Sequence, residues 1–180
     1  MHDIPDMNQR LEDGSAPCSP QTLLARFDSL GIAHRAVTHP PLFTVEQSKE
    51  LRGDMPGGHT KNLFLRNKKG AMWLVTCLED REVDLKALGE QLGAGRLSFG
   101  KPERLMRYLG VLPGAVTPLA VINDTAGQVE LAIDSALLAH DPVNVHPLTN
   151  DMTVALSPGD LLRFLESVNH PPRMLAFDPA

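Results

Sequence analysis

The 180-residue sequence is 42% apolar and 22% charged with a net charge of −5, ordinary values that exclude a chain disordered throughout. No apolar run is long enough to cross a bilayer, and Met1-His2-Asp3-Ile4-Pro5-Asp6 has neither the basic nor the apolar region of a secretory signal, so a cytoplasmic protein without membrane partners is expected. Cys18 and Cys77 stand alone, without metal spacing and with no disulfide framework to build. Charge is unevenly spread: residues 61–107 hold ten Lys/Arg against six Asp/Glu, residues 108–180 two against eight. A local positive region on an acidic chain suits contact with one end of an RNA better than a long duplex groove, and no DNA partner is expected.

Residues 1–18 are polar and acidic, with Gly14 and Pro17 and no periodicity, and read as a flexible tail; residues 19–180 read as one domain. Ser19-Pro20 supplies an N-cap and a proline at the first helical position, and Leu23, Leu24, Phe27 and Leu30 recur at helical spacing before Gly31. Ile32 to Thr38 reads as a strand, and Thr44 caps a second helix ending near Gly53. Pro56-Gly57-Gly58 is permissive backbone, a surface turn or a lid. Thr60-Lys61-Asn62-Leu63-Phe64-Leu65-Arg66, a turn at 67–70 and Ala71 to Leu78 form a hairpin whose first strand opens on a cation and an amide.

Asp84 caps a helix closed by Gly93, Arg96 to Phe99 reads as a short strand, and Lys101-Pro102 starts a helix ending at Gly110. The connector 111–118 is rich in Gly and Pro, as functional loops often are. Leu119–Ile122 and Val129–Ile133 read as a hairpin, Ser135 to Ala139 as a helical turn, 143–147 and 152–156 as a strand pair, and Ser157-Pro158 as the start of a closing helix. The expected fold class is α+β: a largely antiparallel mixed sheet or distorted barrel with helices packed outside it.

Several chemistries find no support. The seven histidines have no His-x-x-x-His or Cys-x-x-Cys partners, so no metal or other cofactor is expected, and neither a Gly-x-Ser-x-Gly elbow nor a phosphate-binding Gly-x-x-x-x-Gly-Lys-Ser/Thr loop is present. Taken singly, Lys61 reads as a solvated strand end, Gly114 as a turn glycine and His146 as a structural histidine.

In order along the chain, however, Lys61-Asn62-Leu63-Phe64-Leu65, Gly114-Ala115-Val116-Thr117-Pro118 and Val145-His146-Pro147-Leu148-Thr149-Asn150 resemble the marks of the YbaK/prolyl-tRNA editing family over roughly residues 20–170. The pattern is most similar to the free-standing Ala-tRNA(Pro) deacylase branch, since Asn62 and His146 differ from the Cys-tRNA(Pro) branch. The resemblance implies a trans-editing hydrolase that removes alanine from tRNA(Pro), with the acceptor end of that tRNA and, transiently, prolyl-tRNA synthetase as partners. Lys61, Gly114 and His146 would be catalytic, and Asn62, Ala115 and Pro118 would bind substrate. Lys61 would hold a terminal phosphate or ribose, and the N–H groups of Gly114 and Ala115 would receive the oxyanion. His146 is left open between positioning the amino acid and acting as general base. Arg96 and Lys101 would meet the acceptor stem, with Arg104 and Arg107 weaker candidates. The rivals are deacylation of Cys-tRNA(Pro) or another aminoacyl-tRNA, and a non-catalytic nucleic-acid-binding module.

Overall fold

The computed structural model describes residues 9–42, 44–52 and 55–177. Helix α1 spans Pro20–Ser29, with the Ser19 hydroxyl accepting from the Thr22 N–H as the sequence predicts. Strand β1 is His34–Thr38 and helix α2 Val45–Arg52, where the Thr44 hydroxyl accepts from the Gln47 N–H; Gly53, read as the stop, lies outside the described residues. The central hairpin is β2 (Gly58–Arg66) and β3 (Met72–Leu78), paired antiparallel from Thr60↔Leu78 to Arg66↔Met72. Helix α3 (Leu85–Leu92) is capped by Asp84 and closed by Gly93 in the left-handed conformation. Then come β4 (Ser98–Phe99), α4 (Pro102–Leu109), β5 (Val129–Asp134), β6 (Val143–Val145), β7 (Met152–Leu156), α5 (Pro158–Ser167) and β8 (Arg173–Leu175).

The strands form one eight-stranded mixed sheet in the order β1-β7-β6-β2-β3-β5-β8, with β4 also beside β2. The β2–β6, β3–β5 and β5–β8 pairs are parallel and the other four antiparallel. Side-chain alternation divides the core between the two faces of the hairpin. Phe64, Met72, Leu74, Leu131 and Ile133 face a large cluster with Leu23 and Phe27 of α1, Leu105 and Leu109 of α4 and Phe164 of α5. Leu65, Trp73, Val75 and Ala132 face a smaller one beneath Leu88 and Leu92 of α3. At about 25 cal/mol per Å² of apolar surface, such fully buried side chains each contribute about 1.5–3 kcal/mol.

Two readings need correction. Pro118–Asn123 is a 3₁₀ helix, not a strand; the Thr117 hydroxyl caps it through the Leu119 N–H, and β3 and β8 occupy both sides of β5, leaving no place for a hairpin partner. Residues 11–18 are docked rather than a free tail. Glu12 accepts an ion pair from Arg107 at 2.6 Å and donates its N–H to the Arg107 carbonyl, and the Cys18 N–H donates to Asn123 Oδ1 at 2.9 Å. At Pro56-Gly57-Gly58 the surface-turn reading holds: Pro56 and Gly57 are exposed and the chain bends at Gly57 into β2. Gly58 begins β2 and its N–H donates to the Pro142 carbonyl, while a Cβ on Gly57 (φ +104°) would lie 2.1 Å from that oxygen.

Candidate functional site

Strand β2 is paired along one side by β3, but its other side is shared. There β6 pairs only with Gly58 and His59, and β4 only with Leu65 and Arg66. Between them no described strand covers residues 60–64, and the sheet parts. A cleft of about 170 Å³ opens at this parting, lined on β2 by Thr60, Lys61 and Asn62. The rest of its lining is Pro113, Gly114 and Val116 from a 3₁₀ turn and its flank, His146 after β6, Glu79 after β3, and Leu42 and Thr44 before α2. The three separated sequence marks therefore meet at one place.

Each polar group is held by a specific partner. The Lys61 ammonium donates to the Arg81 carbonyl. That carbonyl is fixed in turn because the Arg81 guanidinium pairs with Asp134 at 3.1 Å, the Asp134 side chain being only 1% exposed. Asp134 also accepts from the Ala136 N–H at 3.0 Å, so strand end, cation and ammonium form one chain of contacts. Opposite Asn62 across the hairpin is fully buried Thr76, whose hydroxyl donates to Asn62 Oδ1 at 2.6 Å. This bond fixes the amide's orientation and leaves its NH₂ as the donor end.

His146 follows β6, and its Nδ1–H donates to the Met152 carbonyl at 3.1 Å. Burial holds its pKa below the ordinary value, with His39 acting in the same direction and the Met152 bond opposing. The imidazole is therefore neutral at pH 7, with Nε2 as an acceptor. Its Nδ1 partner is a carbonyl rather than a carboxylate, which lacks the orienting charge of a Ser-His-Asp relay. Cys77, opposite Lys61 and fully buried, is no nucleophile: burial pushes its thiol up to about 11.

The Gly114 loop departs from expectation in part. Pro113–Ala115 is a single 3₁₀ turn. Gly114 lines the cleft, and its N–H precedes the first internal bond of the turn. Ala115 does not line it: its N–H donates to the Leu112 carbonyl at 2.9 Å and its methyl is in the core, so it cannot serve as an oxyanion donor. Pro118 is likewise buried, starting the next 3₁₀ helix, and does not line the cleft. Arg96 and Lys101 are exposed on either side of β4, outside the cleft.

Glu79, Thr44 and Thr60 line the cleft without having been singled out from sequence. Glu79 is only 8% exposed, just beyond the end of β3. Its side of the hairpin depends on strand pairing; only its register opposite His59, whose carbonyl accepts the Glu79 N–H, could have pointed to it.

At the split of a mixed α/β sheet, then, one small polar cleft is lined by Lys61, Asn62, Glu79, Gly114 and His146. The chain belongs to the aminoacyl-tRNA editing domain family, whose pattern matches residues 39–164, in keeping with the YbaK-like motifs. It is 41% identical over 158 residues to the mouse prolyl-tRNA synthetase associated domain-containing protein 1, covering 85% of this chain and 93% of that one. It is 36% identical to the prolyl-tRNA editing protein ProX of Acetoanaerobium sticklandii over 82% of this chain and 90% of the relative. A more distant relative, the multifunctional Ser/Thr-tRNA deacylase ProXp-y of Escherichia coli, is 26% identical over 81% and 87% of the two chains. The fold matches the crystal structure of a putative trans-editing enzyme for prolyl tRNA synthetase with a TM-score of 0.69 at 19% identity, over 92% of this chain and all of the other.

Proposed function

We propose that this chain is a trans-acting deacylase that hydrolyses the ester of Ala-tRNA(Pro). The observation that carries this reading is the meeting of Lys61, Asn62, Gly114 and His146 around a cleft of about 170 Å³, room for a small aminoacyl group. A synthetic site shaped for proline rejects a smaller side chain weakly, since a lost methylene is worth about 1–3 kcal/mol, and a second, tighter sieve supplies the missing discrimination.

In this reading Lys61 holds the terminal phosphate or ribose, the Asn62 amide donates to the aminoacyl group, and the Gly114 N–H meets the developing oxyanion. Neutral His146 positions the substrate through Nε2. Glu79 supplies the negative charge that the α-ammonium of an aminoacyl ester calls for. Water adds to the carbonyl, assisted by the substrate's own ribose hydroxyl. The ester C–O bond then breaks, releasing alanine and restoring the terminal hydroxyl of the tRNA. Editing follows release of the mischarged tRNA from prolyl-tRNA synthetase.

Incubation with Ala-, Cys-, Ser-, Thr- and Pro-charged tRNA tests this directly. Release from the alanyl species with prolyl-tRNA left intact is expected. Preference for the Cys, Ser or Thr species would reassign the substrate, and turnover of none would overturn the enzymatic reading.

A further inference from the structure

Phe99 is 60% exposed, the most exposed large apolar side chain among the described residues. A single exposed apolar residue usually needs no explanation, but this one is presented by a rigid mount. Its strand β4 pairs with the end of β2, Phe99 opposite Leu65 and Ser98 opposite Arg66. The next N–H, of Gly100, donates to the Phe64 carbonyl at 2.9 Å. Backbone and ring are pressed so closely here that a Cβ on Gly100 would lie 2.6 Å from the Phe64 ring. On the other flank Leu97 is anchored in the core. The chain is thus pinned on both sides of Phe99 while the ring points to solvent.

Its surroundings identify the ligand chemistry. Cross-strand partners share a face and every second residue returns to it, so Phe99 stands on the same face of β2 as Leu65, Leu63 and Lys61. Four residues at about 3.3 Å each put it roughly 13 Å along the strand from the lysine of the cleft. At about 3.4 Å per stacked nucleotide this is about four nucleotides, fewer if the strand is extended. Arg96 precedes Phe99 and Lys101 follows it, both exposed, while Arg66, opposite Ser98, stands on the other face. An exposed aromatic ring among cations is the arrangement that stacks a base while its phosphates are held, and it is indifferent to sequence because every base has a π face.

We propose that Phe99 is a stacking platform for a base of the unpaired 3′ end of the RNA whose terminal ester enters the cleft, with Arg96 and Lys101 on its phosphates. This rests on the reading of the chain as a tRNA deacylase. It gives the enzyme a grip on the single strand between acceptor stem and cleft, and it explains why β4, only two residues long, is fastened so firmly to β2.

The test uses two uncharged RNA hairpins with the same acceptor-type stem, one with a four-nucleotide 3′ overhang and one blunt. Wild-type protein should bind the overhang hairpin more tightly. Phe99→Ala should weaken that binding about ten-fold, leave the blunt hairpin unchanged, and be rescued by Phe99→Trp. Equal affinity of Phe99→Ala and wild type for the overhang hairpin overturns the proposal and would fit a protein partner at this face; an equal loss on both hairpins overturns it too. Hydrolysis of alanyl-adenosine, too short to reach Phe99, separates the two readings. It should be the same in wild type and Phe99→Ala, and no hydrolysis by wild type would refute the deacylase assignment while the hairpin comparison still decided the stacking.

Discussion

Replacing Asp134 by alanine should damage both stability and the cleft, although Asp134 does not line it. The substitution leaves the Arg81 guanidinium, 19% exposed, without its carboxylate at 3.1 Å, and removes the acceptor for the Ala136 N–H. Breaking a buried ion pair costs about 3–5 kcal/mol. Arg81 is near enough to solvent to recover part of its hydration, which favours about 3 kcal/mol, and the lost cap adds about 1 kcal/mol. About 4 kcal/mol is a large share of the roughly 5–15 kcal/mol of a typical domain. At about 2–4 °C per kcal/mol for a chain of this size, Tm should fall by about 8–16 °C. Asp134→Asn, which keeps the acceptor for Ala136 but loses the charge, should fall by less. Because the Arg81 carbonyl anchors Lys61, deacylation by Asp134→Asn should drop more than its stability loss explains when both proteins are assayed well below their Tm. A Tm for Asp134→Ala within about 2 °C of wild type would refute the claim that this pair holds the Arg81 loop.

Lys61→Ala should remove most deacylation of Ala-tRNA(Pro) with little change in the melting curve, since Lys61 is only partly buried; near wild-type turnover would contradict the site. Thr76→Val removes the hydroxyl that orients Asn62 at 2.6 Å and should raise KM more than it lowers kcat in steady-state kinetics. Gly89→Ala would normally stabilise a helix by about 1 kcal/mol, but a Cβ there lies 2.2 Å from the Gly95 carbonyl, so a lower urea midpoint is expected. The buried pair of His170 and Asp124, 2.9 Å apart, makes stability pH-dependent. The bond to Asp124 raises the pKa of His170 against the opposing effect of burial. Burial works against the Asp124 charge, but the bonds from His170, Val129 and Gln128 outweigh it and hold the carboxyl below its usual range. The histidine's contribution is complete below its unfolded pKa of about 6.5 and is lost as pH rises through the raised folded value. The aspartate's is complete above about 3.9 and is lost as pH falls through the lowered one. The Tm difference between wild type and His170→Ala should therefore be largest between about pH 4 and 6.5 and shrink above it.

Local chemistry was enough to place most helices and the hairpin, because their signals are short-range: Ser19 before Pro20, Asp84 before Leu85, and Gly93 and Gly110 closing helices in the left-handed conformation. Where a run was apolar throughout, periodicity could not choose. Leu119 to Ile122 reads equally as strand or buried helix, and the Thr117-Pro118 start signal was the better guide. The three-residue β8 gives too little pattern to recognise, and its pairing with β5 spans some forty residues of sequence.

The cleft divides in the same way. Taken singly, Lys61, Gly114 and His146 have ordinary structural readings, and it is the resemblance of the three marks in order to the editing family that brings them and Asn62 forward as candidates from the sequence. Which groups actually face the ligand is a matter of the fold. Ala115 turns its N–H to Leu112 and its methyl to the core, Glu79 reaches the cleft from beyond β3, and residues 11–18 are fastened to Arg107 and Asn123 by contacts about a hundred positions away. The parting of the sheet at β2 exists only because β6 and β4 each take one end of the same strand edge. Non-local pairing of that kind leaves no local signature, so the sequence carries the chemistry of the site while the tertiary structure sets its shape and membership.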